Sequence, residues 1–514
     1  MNVYFSNGQS YGSDLIIDSI NFISMSDEEA QKKLDSYQIK PYPNENIHAG
    51  HIIVGKRGAR NHIPADAFKN ILKYPDGNIH ALATIYLAGA TIFLGGANRI
   101  GLIDAQSAGD LQSPPMNSFQ TLFTDDAKRL EARRIIYDAF GSYLVIDPTA
   151  LGQFRLRMSD RQPEDATEER GIDQRAVDFH SNAKLMQEFS DGVKTFTGMV
   201  VEFIAGDPEI ILIDEPEAFL HPSLAYKLGN ELSTSSVKFK RKLFASTHSP
   251  QFVMGCIQSG APINIIRLTY REGIGSARIL KNSDLLSLMR NPLLRSTGVL
   301  SALFYENVVI TESDSDRAFY QEINERLARY SPDRAIPNCL FLNAQNKQTV
   351  HLILKPLRDL GIPAVGIVDV DILKEGGEVW SKFLAGGHID DITKESLAVF
   401  RAKIKAAMDE TKANMKRDGG VAILQDGALR AAEHLFDQLD EYGLFAVRKG
   451  ELESWLKHLG VTGHGSEWLI KVFERLGEDI DSPDYVLPDK GDVWDFMARI
   501  RSWMVNPSRK GIPE

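Results

Sequence analysis

The chain has 514 residues, too many for one typical hydrophobic core, so two or three domains are expected. Its 43% hydrophobic and 25% charged residues exclude a disordered chain, and a net charge of −11 excludes nucleic-acid binding through bulk charge alone. Two cysteines, Cys256 and Cys339, are too few for a disulfide framework or a four-ligand zinc site, which points to a reducing, cytoplasmic setting.

The opening MNVYFSNGQSYG has neither the basic nor the apolar region of a signal peptide. Residues 81–97, ALATIYLAGATIFLGGA, carry no charge but are at the short limit for a membrane helix and contain Thr84 and Thr91. Two β-rich runs, ATIYLA and TIFLGG, hinged near Gly89, predict a buried hairpin and no membrane span. A helix is expected over 125–140, DDAKRLEARRIIYDAF. Beyond it, strand-like runs alternate with helical patterns: EIILIDE (209–215), RKLFASTH (241–248), ENVVITE (306–312), CLFLNA (339–344) and AVGIVDVD (364–371). That alternation predicts α/β architecture with mostly parallel sheets. The segment NPLLRSTGVLSALFYE (291–306) separates two such sets, so the expected cut is at 302, with domains 1–302 and 303–460 and a helical C-terminal appendage over 461–514.

In the first set, Ile210, Ile211, Leu212 and Ile213 predict a strand buried on both faces, with Asp214 and Glu215 where it ends. Ligands of open α/β sheets bind at such ends. An aspartate there can hold Mg²⁺ against nucleotide phosphates, and a following glutamate can polarise an attacking water. A solvated acidic turn would produce the same local pattern. Upstream stands Ser190-Asp191-Gly192 before the helical run KTFTGMVVEFIAG, and downstream the strand RKLFAST leads to His248.

This order resembles ABC-type ATPases over residues 83–270, and DEPEAFLHP (214–222) is closer still to the ATPases of the overcoming-lysogenization-defect (OLD) nucleases. The resemblance implies that Asp214 positions Mg²⁺, that Glu215 is the catalytic base and that His248 senses the γ-phosphate. It also implies that Ser190 and Gly192 serve the nucleotide of a second subunit, so that ATP is sandwiched in a homodimer. Two departures stand out. Asp191 replaces the usual glycine, and the phosphate-cradling G-x-x-x-x-G-K-[ST] loop is not found. The nearest match, Gly50 to Arg57, has arginine for the hydroxyl, and its residues 51–54 read as strand, so it is taken as coincidence. An N-terminally incomplete ATPase domain is therefore expected, which leaves nucleotide binding in question. Arg99, in GANRIGLID, lies where the resemblance puts the early β-region against the nucleotide pocket, and reads slightly better as a surface arginine at a strand end.

In the second set, the strand 307–311 ends at Glu312, and Asp316 follows in the first turn of a helix over 314–330. Asp369 and Asp371 close a later strand, and residues two apart share a face, so these carboxylates are expected to converge with Glu312 and Asp316. Such a group cannot stay ionised without cations, and hard oxygen donors suit Mg²⁺ or Mn²⁺. Three unrelated acidic strand ends would read the same way. With the β-α-β-α-β order between them, these residues resemble a TOPRIM domain, with Ser313 where glycine is usual and Asp316 matching an aspartate of OLD members. GLFAVRKGELESWL (443–456) is similar to the OLD-type closing strand and helix. From it the resemblance implies Lys449 as a stabiliser of transition-state charge and Glu453 as a metal ligand. On a helix expected through 400–417, Arg401, Lys405, Lys412 and Lys416 would share a face, a basic ridge suited to duplex DNA or an ordinary solvated surface.

The resemblance implies an ABC-type ATPase joined to a TOPRIM endonuclease that uses Mg²⁺ or Mn²⁺ on double-stranded DNA, in defence against foreign DNA. A nucleotide-gated DNA-binding ATPase without cleavage, or a truncated inactive remnant, remains open.

Overall fold

The computed structural model describes residues 2–5, 17–41, 45–56, 60–96, 98–113, 115–271, 274–280 and 298–513. Arg57, Ala97 and residues 291–297 of the connecting segment lie outside them. Two compact units divide between Ile263 and Asn264, upstream of the cut expected at 302. The antiparallel pair Ile265–Arg271 and Ile274–Leu280 groups with the second unit. Two of its arginines tie it there. Arg267 donates to the carbonyls of Leu303 and Tyr305, and Arg278 to that of Pro513.

The first unit is built on a parallel sheet ordered Lys242–Ser246, Ile210–Asp214, Thr91–Leu94. Ile211 and Ile213 point into a core shared with the helix Asp191–Ala205, whose residues from Thr195 onward are all buried. The strand is not buried on both faces as expected. Leu212 is 36% exposed and stands in register with Phe93 (59%) and Phe244 (36%), an apolar row on the sheet's other face. Among the described residues no strand pairs with the outer edge of Lys242–Ser246.

Residues 81–97 are not a hairpin. The chain is helical over Ile79–Ala81, Leu82–Leu87 and Ala88–Ala90, and only Thr91–Leu94 is strand. Leu82 and Tyr86, four apart on one helical face, enter a small core with Leu34, Tyr37, Phe68 and Ile71. Tertiary packing of that face overrides the β propensity of ATIYLA. No helix among the described residues is long and apolar enough to cross a membrane.

The second unit holds an all-parallel sheet ordered Cys339–Asn343, Asn307–Thr311, Ala364–Asp369, Leu444–Val447. Asn307–Thr311 is buried throughout, so both faces are covered, as a parallel sheet requires. Residues 461–513 form one wall of this core through Trp468, Val472, Trp494, Met497 and Ile500. They are integral to it rather than appended.

The helix expected through 400–417 is Asp391–Glu410. Lys412 has φ 56°, a left-handed conformation that ends the helix, and Lys416 lies beyond the break. Arg401 donates to the Leu373 carbonyl and lies over the Trp380 ring, while Lys405 pairs with Asp409. The four basic residues therefore form no common ridge.

Candidate functional site

In an all-parallel sheet the carboxyl ends of the strands share one edge, and the acidic residues of the second unit gather there. Glu312 follows Asn307–Thr311, and the neighbouring strand ends at Asp369. Asp371 is not on the strand as expected but on the short 3₁₀ turn Val370–Lys374, which swings it back. Glu312, Asp369 and Asp371 each offer an oxygen, all within 4.8 Å of one another. The Asp369 N–H donates to Glu312 Oε1 at 2.8 Å, locking two of the three. Burial, then the charge of Asp369, pushes Glu312 up to about 8. Burial raises Asp369 to about 7, against the hydrogen bond and charge of Lys416.

Asp316 does not join that trio. It is the third residue of helix Asp314–Tyr330, and its Oδ2 accepts from the Ser313 N–H (3.0 Å) and hydroxyl (2.6 Å), a capping box. Ser313, which replaces the expected glycine, is thus the helix cap. Burial pushes Asp316 above the usual carboxylate range, against the Ser313 hydrogen bonds and with help from the charge of Glu453. Glu453 lies in a second group with Glu451 and His464, again within 4.8 Å, where His464 Nδ1 is 2.7 Å from Glu453 Oε1.

In the first unit, Asp214 and Glu215 emerge at the carboxyl end of Ile210–Asp214. Asp214 Oδ1 accepts from the Ser246 hydroxyl at 2.5 Å. Glu215 sits at φ 51°, strained for a side chain-bearing residue, and its N–H donates to the Ser246 carbonyl. Its carboxylate lies 3.3 Å from His248 Nε2. Burial, then the hydrogen bond and charge of Glu217, raises the Glu215 carboxyl above its ordinary value. Glu217 also accepts from the Thr247 hydroxyl (2.7 Å) and the His248 N–H (2.9 Å), tying the acidic strand end to the histidine strand end.

Arg99 is not a surface residue. It is fully buried, donates through Nη1 to the Glu215 carbonyl, and leaves Nε and Nη2 without a partner. Burial lowers its pKa, opposed by the charges of Asp214, Glu217 and Glu215. Ser190 caps the helix Asp191–Ala205 by position only, with no side-chain hydrogen bond to its first turn. A Cβ on Gly192 would stand 2.6 Å from the Phe219 carbonyl, so this glycine permits close packing against the loop after Glu215.

Within the nearest match to a phosphate loop, the four residues between the glycines are strand. His51–Val54 pairs antiparallel with Asn61–Pro64, and Lys56 pairs with Asp207 and Glu209.

The family model described as "AAA domain, putative AbiEii toxin, Type IV TA system" matches residues 151–254, which contain Ser190, Gly192, Asp214, Glu215 and His248. That described as "Overcoming lysogenization defect protein-like, TOPRIM domain" matches residues 303–371, which contain Glu312, Asp316, Asp369 and Asp371. The chain joins an AAA ATPase domain to an OLD-like TOPRIM domain. Similar solved structures include an SMC head bound to the C-winged helix domain of ScpA, at 13% identity and a TM-score of 0.29. That match covers 44% of this chain and 64% of the other, so the chain spans less than two thirds of that relative. Another comes from work on ATP-driven dimerization and DNA-stimulated activation of SMC ATPases, at 16% identity and a TM-score of 0.23, covering 34% of this chain and 96% of the other. No curated protein matches the chain.

The TOPRIM trio fits a hard divalent cation. Its donors are carboxylate oxygens, and Asp371 Oδ1 is buried without a hydrogen-bond partner. Lys449, carried over from the resemblance, pairs with Asp492 at 3.0 Å and lies over the Trp455 ring. The ammonium groups found on the TOPRIM trio are others. Lys347 Nζ is 2.7 Å from Asp371 Oδ2, and Lys416 Nζ is 2.6 Å from Asp369 Oδ2. Sequence reasoning missed Lys347, although it lies in the loop after Cys339–Asn343, at the same sheet edge as the acids. Lys416 was seen only as part of a helix face. Glu451, His464 and Glu217 left no signal, because their places depend on turns and not on periodicity.

Proposed function

We propose that this chain cleaves the phosphodiester backbone of double-stranded DNA at the TOPRIM carboxylates, powered or restrained by an ABC-type ATPase that works as a homodimer. The observation that carries the reading is the meeting of Glu312, Asp369 and Asp371, with an unpartnered Asp371 oxygen among them. Glu312, Asp369 and Asp371 would hold Mg²⁺ or Mn²⁺, which would lower the pKa of an attacking water and stabilise the leaving oxygen. The hydrogen bond from the Asp369 N–H orients Glu312, and the sheet edge keeps the three donors together before any ion arrives. Asp316 stands close enough to Asp369 for their charges to interact, and Glu453 close enough to Asp316, as further acidic groups.

In the AAA domain, Glu215 takes the proton of the water that attacks ATP, and burial beside Glu217 makes its carboxylate a stronger base than an ordinary glutamate. Asp214, oriented by Ser246, would hold the nucleotide's Mg²⁺, and His248, 3.3 Å from Glu215, would sense the γ-phosphate. Ser190, with its hydroxyl free of the helix cap, and Gly192 face the nucleotide of the second subunit. Equilibrium dialysis with ATP tests whether the chain binds nucleotide without a recognisable phosphate loop. Defence against foreign DNA is the setting in which these activities fit.

The deciding experiment is incubation of the full chain with supercoiled plasmid and Mg²⁺ or Mn²⁺. Nicking that disappears in Asp369→Ala supports the reading. No nicking by the parent, or equal nicking by the variant, overturns it. The second reading, a nucleotide-gated DNA-binding ATPase without cleavage, draws on Lys347 and Lys416, which already pair with two of the three carboxylates. It predicts plasmid retardation in gels with no nicking at any metal concentration.

A further inference from the structure

Lys416 lies where two carboxylate groups face each other. Its Nζ is 2.6 Å from Asp369 Oδ2 and 4.0 Å from Asp371 Oδ2 in the first group, and 3.4 Å from Glu451 Oε2 in the second. Its side chain is 28% exposed, and those of Asp369, Asp371 and Glu451 are between 10% and 14% exposed. The ammonium is thus one of two cations this site carries in its own sequence, Lys347 on Asp371 being the other.

The backbone that delivers it is fixed. The Gly420 N–H donates to the Met415 carbonyl, and the Val421 N–H to that of Arg448. The Lys416 carbonyl is pressed so closely on Gly450 that a Cβ there would stand 2.1 Å from it. Gly450, at φ 133°, immediately precedes Glu451. The loop carrying the lysine and the loop carrying the glutamate are therefore held together, and only the flexible side chain of Lys416 is free to move between its partners.

The geometry points to Lys416 as a built-in competitor of the metal. It holds the Asp369 carboxylate in the ion's absence, yields it when a divalent cation binds, and so sets the metal concentration at which the site loads. This rests on the proposed metal site, and deepens it. A divalent cation on Asp369 brings two like charges within a few ångströms of the ammonium, so the two cannot share that oxygen. Glu451, already 3.4 Å away, offers the displaced ammonium a second carboxylate without a change in the backbone. Lys416 acts through Asp369 and is a positioning residue.

The test is Mn²⁺ binding to the full chain, followed by electron paramagnetic resonance of the free ion at fixed pH. Lys416→Met should bind Mn²⁺ about tenfold more tightly, of the order that a partly buried charge pair contributes, and Lys416→Arg should return to within about twofold of the parent. Unchanged or weaker binding by Lys416→Met overturns the inference. Asp371→Asn separates the two readings. If the parent and Asp371→Asn bind Mn²⁺ equally, or neither binds, the metal site itself fails. If the parent binds, Asp371→Asn does not, and Lys416→Met is no tighter, only the role of Lys416 falls. A second measurement needs no variant that must fold. Acylation of Lys416 in the parent protein, read by mass spectrometry against Lys449, should accelerate several-fold when Mn²⁺ is added. No change, or slower labelling, overturns the proposal.

Discussion

The backbone N–H of Asp369 donates a 2.8 Å hydrogen bond to Glu312 Oε1, joining two acids at the carboxyl ends of adjacent parallel strands. An N–H stabilises the ionised form of its acceptor, yet Glu312 is still pushed up to about 8, because burial and the charge of Asp369 outweigh that bond. The two carboxylates are held together at a cost that a cation would remove.

That cost has a pH signature. Glu312 at about 8 and Asp369 at about 7 both lie above their ordinary values near 4, so the folded chain binds more protons than the unfolded one between about pH 4 and 8. Stability from these groups is fully present below pH 4 and is lost as pH rises through 7 to 8. In EDTA, Glu312→Gln should therefore gain thermal stability over the parent, with the difference growing from pH 5 to pH 9. Mg²⁺ should stabilise the parent more at pH 8.5 than at pH 6, since binding must displace protons. Differential scanning calorimetry at the two pH values checks both signs, and a pH-independent difference would sink the account.

Gly192 separates packing from nucleotide recognition. Its missing side chain lets the helix Asp191–Ala205 approach the Phe219 carbonyl, and a Cβ there would stand 2.6 Å from that backbone oxygen. Gly192→Ala should cost about 1–3 kcal/mol in urea unfolding without any nucleotide present, the usual penalty for overpacking. A variant of parental stability would show that the missing side chain at Gly192 is not needed for this close packing, whatever its effect on nucleotide-dependent behaviour.

The sequence was most informative where chemistry and periodicity coincide. The helix expected over 314–330 is Asp314–Tyr330, and the strand runs ending at Asp214, Glu312 and Asp369 all form, because each joins a strong hydrophobic pattern to a polar stop. Residues 81–97 misled because branched and small apolar residues suit a helix equally once Leu82 and Tyr86 find a core. The helix expected through 400–417 ended early because a single left-handed residue, Lys412, leaves the hydrophobic spacing intact while redirecting the chain. The same break carries Lys416 into the TOPRIM acids, so the most informative lysine was hidden by the pattern that seemed to explain it. Arg99 was misread for a related reason. Burial of a lone arginine depends on carbonyls and acids far along the chain, here the carbonyl of Glu215.

Arg99 leads to a further prediction. Its guanidinium is fully buried beside Asp214, Glu215 and Glu217, and Nη1 holds the carbonyl of a residue in a strained conformation. Arg99→Ala leaves those acids without their buried cation and should destabilise the first unit by about 3 kcal/mol. Arg99→Lys should recover only part of this, since one ammonium cannot reproduce the planar fork that reaches the carbonyl. Equal stability of Arg99→Ala and the parent in urea would show that the buried charge is not needed to hold the acidic strand end.

Glu215 gives the last test, and the one that bears on the ATPase. Its carboxylate is about one third exposed and pairs with His248 at 3.3 Å, so Glu215→Gln keeps the shape of the site and removes only the base and its charge. If Glu215 activates water, Glu215→Gln should lower ATP turnover by about 100-fold or more, in line with loss of a general base, while ATP affinity stays within a few-fold of the parent. The slowed variant should also accumulate as an ATP-dependent dimer in light scattering, because the nucleotide between subunits is no longer consumed. Turnover that persists in Glu215→Gln and disappears in His248→Ala would move the catalytic base from the acidic strand end to the histidine opposite it.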